Sequence, residues 1–303
     1  MIDIALLGTG GMMPLPNRFL TSLLVRKRDR MMLIDSGEGT QVTMKMLGWG
    51  FKTIDLICYT HFHADHISGL PGLLLTIGNS DRTEPLTIAG PEGIEKVAEG
   101  LRLIAPELPF DINYIEFKEK YENINVGEFD VNAMRVDHRI TCYGYSMDIP
   151  RAGKFDPQKA EGLGLPKTTW SLLQKGETVE LDGKKYTWDM VLGESRKGIK
   201  LCYCTDTRPT ADMPEFFKGA DLLIYEGIYG DDEKRDKAVK HKHSLYSEAA
   251  NIAKAAEVKE LWLTHFSPAM TEPEEFLSTA ADIFPNTVVG SDRLTKTIRF
   301  EER

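Results

Sequence analysis

Seven consecutive residues, Thr60 to His66, read T-H-F-H-A-D-H and bring His61, His63, Asp65 and His66 together. The preceding Ile54-Asp55-Leu56-Ile57-Cys58-Tyr59 is short, largely apolar and bounded, the pattern of a buried strand. Ser68-Gly69-Leu70-Pro71-Gly72 then reads as a loop that turns into a helix over Leu73 to Ile77. The cluster therefore falls at the carboxyl end of a strand, where α/β sheets place ligand sites. Two imidazoles at i and i+2 on an extended segment project to the same side and can chelate one ion. Asp65 and His66, at the turn into the helix, point towards a neighbouring position for a second ion. Imidazole nitrogen with carboxylate oxygen suits zinc, with manganese as the alternative at the oxygen-rich position. The competing reading, ordinary polar loop residues, is weakened by scarcity: there are 7 histidines in 303 residues.

A chain of this length that is 42% hydrophobic can bury a full core, as one large α/β domain or two small ones. No apolar run approaches membrane-spanning length, and Met1-Ile2-Asp3-Ile4 lacks the charged-then-apolar pattern of a signal, so the expected location is the cytoplasm. Cys58, Cys142, Cys202 and Cys204 follow no C-x-x-C pattern and read as buried, reduced thiols. A net charge of -9 argues against indiscriminate nucleic-acid binding and leaves room for a local basic patch.

Ile2 to Leu7 reads as a strand ending in the tight turn Gly8-Thr9-Gly10-Gly11, which lacks the spacing and lysine of a phosphate-binding loop. Leu20 to Val25 and Met31 to Ile34 read as a hairpin around a solvated charge run. Asp35 closes its second strand. It is either a surface turn residue or a carboxylate that orients a ligand histidine from behind. A helix follows from about Gln41 to Leu47, and the alternation of strand and helix continues through Leu86 to Ala89, Gly93 to Leu103, Ile112 to Phe117 and Glu128 to Val136. His138, Asp206 and His265 each fall at the end of a strand-like run. Any one alone reads as a loop residue, but three such placements with so few histidines point to convergence on one site.

Taken in order, Gly8-Thr9-Gly10, Asp35-Ser36-Gly37-Glu38, His61-x-His63-x-Asp65-His66, His138, Asp206 and His265 resemble the successive motifs of the metallo-β-lactamase fold. Gly69-Leu70-Pro71-Gly72-Leu73, Asp206-Thr207-Arg208-Pro209 and His243-Ser244 further resemble ribonuclease Z, the family of tRNA 3'-end processing endoribonucleases. The resemblance implies an α/β fold, an αββα sandwich with two mixed sheets face to face and helices outside. It also implies a single domain over residues 1–303 with an inserted arm at about 151–198. Carried over by motif, His61, His63 and His138 would hold one zinc, Asp65, His66 and His265 the other, and Asp206 would bridge them. Two such ions share a water, lower its pKa so that hydroxide exists near neutral pH, and clamp the phosphodiester at the 3' trailer of precursor tRNA. His243 would protonate the leaving ribose 3'-oxygen, Glu226 would orient or recharge it, and Asp65 completes the catalytic set. The alternative for His243 is the cap region of a helix from Ser244 to Ala256. The family also implies a homodimer.

Arg151 to Lys200 contains ten Lys or Arg against seven Asp or Glu, a balance of +3 that leaves -12 on the rest of the chain. A basic arm on an acidic body suits selective RNA binding. Where bacterial relatives carry a Pro-Pro-Gly-Pro segment, this sequence has Gly164-Leu165-Pro166-Lys167-Thr168-Thr169-Trp170. Lys167, Trp170, Lys175, Lys184 and Lys185 are the candidate RNA contacts, against a solvated excursion with Trp170 packed at a subunit contact. The functional alternatives to tRNA processing are a phosphodiesterase for a small or cyclic ester, and a non-catalytic, metal-stabilised RNA-binding protein.

Overall fold

A computed structural model of the chain describes residues 1–301. Its strands are β1 (Ile2–Gly8), β2 (Ser22–Lys27), β3 (Arg30–Ile34), β4 (Ile54–Cys58), β5 (Leu86–Pro91), β6 (Ile112–Phe117), β7 (Tyr121–Val126), β8 (Phe129–Val136), β9 (Cys142–Arg151), β10 (Val179–Leu181), β11 (Lys184–Tyr186), β12 (Arg196–Cys204), β13 (Leu222–Glu226), β14 (Leu261–Thr264), β15 (Thr287–Val289) and β16 (Thr295–Ile298). Two seven-stranded sheets form, in the orders β16-β1-β2-β3-β4-β5-β6 and β15-β14-β13-β12-β9-β8-β7. Both are mixed: β3 to β6 and β12 to β15 run parallel, while β1 to β3 and β7 to β9 pair antiparallel. The expected αββα sandwich is the observed fold.

The parallel strands read as continuous apolar runs because both their faces are covered. On one side of the sandwich Met44, Leu70, Leu73, Leu74, Ile77, Ile94 and Ala98 on three helices pack against Leu33, Ile57 and Ile88. On the other, the small faces of Ala249, Ala250 and Ala253 let helix Tyr246–Ala255 settle on Leu223, Tyr225 and Leu263. Between the sheets, the Tyr145 hydroxyl on β9 donates to the Tyr59 carbonyl at the end of β4, and the Tyr143 N–H donates to the Thr60 carbonyl at 3.0 Å. These bonds tie the histidine-bearing loop to the opposite sheet.

Register does the rest. Ile34 pairs with Cys58, Cys204 with Tyr225, and Glu226 with Thr264, so the residues that follow these strands emerge side by side at one edge. The helix expected to begin at Leu73 begins earlier. Ala64–Ile67 is already helical, and a second helix runs Leu70–Gly78. Pro71 sits in its first turn, where a missing N–H costs nothing. Gly72 is no breaker either; a Cβ there would stand 2.8 Å from the Gln41 side chain, so its smallness serves helix packing.

Residues Ile149–Ile199 form a second compact unit with the last described residues of the chain. Helices Pro157–Gly162 and Lys167–Gln174 and the β10–β11 hairpin enclose a small core of Ala160, Leu165, Leu173, Val179 and Val191. Asp156 caps the first helix, accepting from Gln158 N at 2.9 Å. Trp170 packs on this core with its ring 5.3 Å from Phe155 and its indole N–H bonded to the Leu165 carbonyl. No helix among the described residues is long and apolar enough to cross a membrane.

Replacing Tyr145 by Phe leaves a buried carbonyl at Tyr59 without its donor, and should lower stability by about 1–3 kcal/mol. A urea titration should show the midpoint fall at unchanged slope.

Candidate metal centre

Seven side chains converge at the sheet edge from strand ends far apart in sequence. His61, His63, His138 and Asp206 form one donor group, and Asp65, His66 and His265 a second, with the ligand atoms of each within 4.8 Å of one another. Three of the residues that build this edge leave their strands with left-handed backbone: Asp35 at φ 60°, Asp206 at 54° and His265 at 59°. Asp and His tolerate that region better than branched residues do, and the sharp turn swings each side chain inward over the sheet.

The spacing inside each group tests whether an ion fits. Two nitrogens each about 2.0–2.1 Å from a tetrahedral zinc stand roughly 3.3 Å apart. Here His61 Nε2 lies 3.0 Å from His63 Nδ1, His63 Nδ1 3.3 Å from His138 Nε2, and His66 Nε2 3.2 Å from His265 Nε2. Asp206 faces both groups with different oxygens. Its Oδ1 is 3.8 Å from both His61 Nε2 and His138 Nε2, while its Oδ2 is 3.1 Å from His66 Nε2 and 3.2 Å from His265 Nε2. Although buried, Oδ2 makes no hydrogen bond of good geometry. Nitrogen lone pairs and an orphaned carboxylate oxygen at these separations fit a divalent cation on each side.

The protonation states of the first group agree with that donor set, whereas at His66 burial is outweighed by Asp206 and Asp35, which hold that ring well above the ordinary histidine range. Burial holds His61 well below the ordinary histidine range and lowers His63 and His138, leaving neutral imidazoles. Burial opposes ionisation of Asp206, but His265, His66 and His61 outweigh it and hold the carboxylate well below its usual range. Asp65 is likewise desolvated yet drawn well down by its bond from His265 and the nearby His66.

Further bonds fix each ring behind the donors. Asp35 is fully buried. It accepts from Thr60 N at 2.8 Å, from the Thr60 hydroxyl, and from His66 Nδ1 at 2.8 Å, which turns Nε2 of His66 towards Asp206. The Lys242 carbonyl takes Nδ1 of His138 at 3.1 Å, with the same effect on that ring. The Lys242 ammonium pairs with Asp137 at 2.9 Å, so its backbone, not its charge, carries the contact to His138.

His243 lies next to both groups and shares a third potential donor cluster with Asp206 and His265. Its Nδ1 is 2.9 Å from Glu226 Oε2, and helix Tyr246–Ala255 has Leu245 as its N-cap, two residues after His243. Burial pushes His243 down, but the Glu226 carboxylate prevails and lifts it to about 9. The Asp206-Thr207-Arg208 and His243-Ser244 motifs form a latch around it. Arg208 donates to the His243 carbonyl and pairs with Glu248, the Ser244 hydroxyl donates to the Thr207 carbonyl at 2.6 Å, and Thr207 N–H donates to Glu226. Glu248 was not singled out from sequence, because only the fold brings it, 40 residues on, into one clamp with Arg208.

A cavity of about 250 Å³ opens over the centre, lined by Met12, Ile228, Tyr229, Arg139, Lys237 and His241 in addition to the clustered histidines. All 7 histidines of the chain thus meet in one place. Arg139 and Lys237 are cations at the mouth. Lys167, Lys175, Lys184 and Lys185 are exposed on the smaller unit, whereas Trp170 is partly buried in that unit's own core.

Asp35→Asn puts an amide where every neighbour donates, so the His66 ring loses its hold. Metal affinity of the Asp65–His66–His265 group should fall about 10–100-fold, as outer partners of ligand histidines usually cost. A chelator competition with the zinc-loaded protein measures it.

A family model described as Anti-Pycsar protein Apyc1 matches residues 2–102. The ribonuclease Z of Lachnoclostridium phytofermentans is 52% identical over 302 residues, covering 100% of this chain and 99% of that protein. That of Clostridium kluyveri is 54% identical over 304 residues, covering 100% of both. The solved structure of human tRNase Z, short form, aligns with a TM-score of 0.71 at 26% identity over 98% of this chain and 100% of that one. With half of its residues shared from end to end and the whole donor set gathered at one sheet edge, this chain belongs to the ribonuclease Z family of the metallo-β-lactamase fold superfamily.

Proposed function

We propose that this chain is a tRNA 3'-end processing endoribonuclease that removes the 3' trailer of precursor tRNA with two zinc ions, manganese being the alternative. The observation that carries the reading is one carboxylate turned to two donor groups: Asp206 Oδ1 faces His61 and His138, Oδ2 faces His66 and His265, and the His243–Glu226 pair stands beside it. Full-length relatives named ribonuclease Z support the substrate class.

His61, His63 and His138 would hold one ion, Asp65, His66 and His265 the other, and Asp206 both. When bound, the pair supplies Lewis-acid polarisation of the phosphodiester and a water activated for attack. Asp65, whose Oδ2 accepts from Met12 N at 2.6 Å, lies at the cavity floor where the reacting phosphate would rest. With Nδ1 engaged by Glu226, the remaining nitrogen of His243 is left to give a proton to the departing ribose 3'-oxygen. Glu226, fully buried and held by Thr207 N–H, keeps that imidazole charged and aimed. Arg139 and Lys237 at the mouth offer positive charge to flanking phosphates.

We read the smaller unit as an RNA-gripping arm inserted at about 151–198. The +3 balance of Arg151 to Lys200 and the exposed Lys167, Lys175, Lys184 and Lys185 support this, with Trp170 contributing through its open edge. A homodimer is the proposed assembly; exposed Val42 and Met46 on helix Thr40–Leu47 and Leu75 on helix Leu70–Gly78 offer an apolar surface for it. Four free, buried cysteines support a cytoplasmic location. A phosphodiesterase for a small ester is the second reading, favoured by a cavity of only about 250 Å³ over the metal centre.

Cleavage of a precursor tRNA carrying a 3' trailer, run beside bis(p-nitrophenyl) phosphate, separates the two; hydrolysis of the small ester alone would favour the second. His243→Ala should keep its metal content and lose about 10²–10⁴-fold in kcat. Replacing the four arm lysines by Ala should raise KM for precursor tRNA and flatten its salt dependence, while hydrolysis of the small ester stays unchanged.

A further inference from the structure

Asp292 lies in the segment between β15 and β16, outside both donor groups, and no motif pointed to it. Its carboxylate gathers the first loop of the chain. Oδ1 accepts from Thr9 N at 3.0 Å and from the Thr9 hydroxyl at 2.8 Å, while Oδ2 accepts from Phe19 N at 2.6 Å. The two limbs it joins are also bonded to each other, Gly10 N to the Phe19 carbonyl at 2.9 Å and the Thr21 hydroxyl to the Gly10 carbonyl at 3.0 Å.

From that loop, contacts run to one donor group. The Thr9 carbonyl accepts from Phe266 N at 2.8 Å and Gly11 N donates to the Phe266 carbonyl at 3.0 Å, fixing the backbone next to His265. Gly11 lies flat against the His265 ring; a Cβ there would stand 2.8 Å from its Cε1 and Nε2. Met12, in left-handed backbone at φ 68°, turns its N–H to Asp65 Oδ2 at 2.6 Å. The rings of the other group are held from elsewhere, His61 by the Thr60 hydroxyl at 3.0 Å and His138 by the Lys242 carbonyl.

We propose that Asp292 is a positioning residue for one of the two ion sites: through Thr9 to Met12 it sets Asp65 and His265, and leaves His61, His63 and His138 untouched. The two sites therefore differ in what holds them, and their affinities can be changed separately. The proposal rests on the dinuclear reading above.

Chelator titration of the zinc-loaded protein tests it, with the equivalents released and their two constants as the readout. Asp292→Asn keeps the shape but turns a donor towards the loop's own donors. It should weaken one of the two constants by tenfold or more, in line with outer-partner losses, and leave the other unchanged. Thr9→Val, which removes only the hydroxyl bond, should shift the same constant by a smaller factor and decides the matter if Asp292→Asn does not fold. A general loss of stability would move both constants together. Equal weakening of both, or no change in either, overturns the role of Asp292. Release of a single equivalent from the unsubstituted protein would instead overturn the dinuclear centre, and this proposal with it.

Discussion

Nitrogen and oxygen donors crowd together here at separations they would not choose for themselves. Five imidazole nitrogens and two carboxylate oxygens stand 3.0–3.8 Å from their neighbours in a buried pocket, and the oxygen of Asp206 that lies closest to two rings has no hydrogen bond of good geometry. Leaving a buried carboxylate oxygen unsatisfied is costly, and the cost persists only where the surrounding structure over-determines the arrangement. The scaffold therefore has to be rigid before the centre can exist.

That rigidity comes from strand ends. Parallel register places the residues after β3, β4, β12, β13 and β14 at one edge, and left-handed turns at Asp35, Asp206 and His265 aim the side chains inward. Each ring is then held by a bond on its far nitrogen or by a neighbour pressed against its face: Asp35 for His66, the Lys242 carbonyl for His138, Gly11 for His265. Glu226 does for His243 what Asp35 does for His66, at a ring that lines the cavity. The same device, a carboxylate behind an imidazole, stands behind a ring of a donor group in one case and a ring lining the cavity in the other. The distinction lies in which nitrogen remains and what it meets.

The cavity over the donor groups is small, about 250 Å³. The exposed lysines of the smaller unit lie on a compact unit with its own small core. Trp170 illustrates the division of labour: its ring serves the packing of that unit, and the lysines remain outside it.

The linear order of residues was enough to pick out the candidate donors, and the resemblance of their motifs to a known fold supplied the architecture. His61, His63, Asp65 and His66 sit within six positions, so their proximity is a local property, and the strand-ending placements of His138, Asp206 and His265 follow from apolar runs that stop where they do. Helix starts were misread where Pro71 and Gly72 looked like breakers, because only packing against Gln41 shows why a glycine belongs inside that helix. Whether Asp35 was a surface turn or a buried brace could not be decided from spacing, since both read as a polar residue after a strand; burial decided it. Arg208, Glu248, Lys242 and Asp292 act through partners 35 to 283 residues away. Contacts of that kind exist only once the sheets have paired, and no local pattern of residues encodes them.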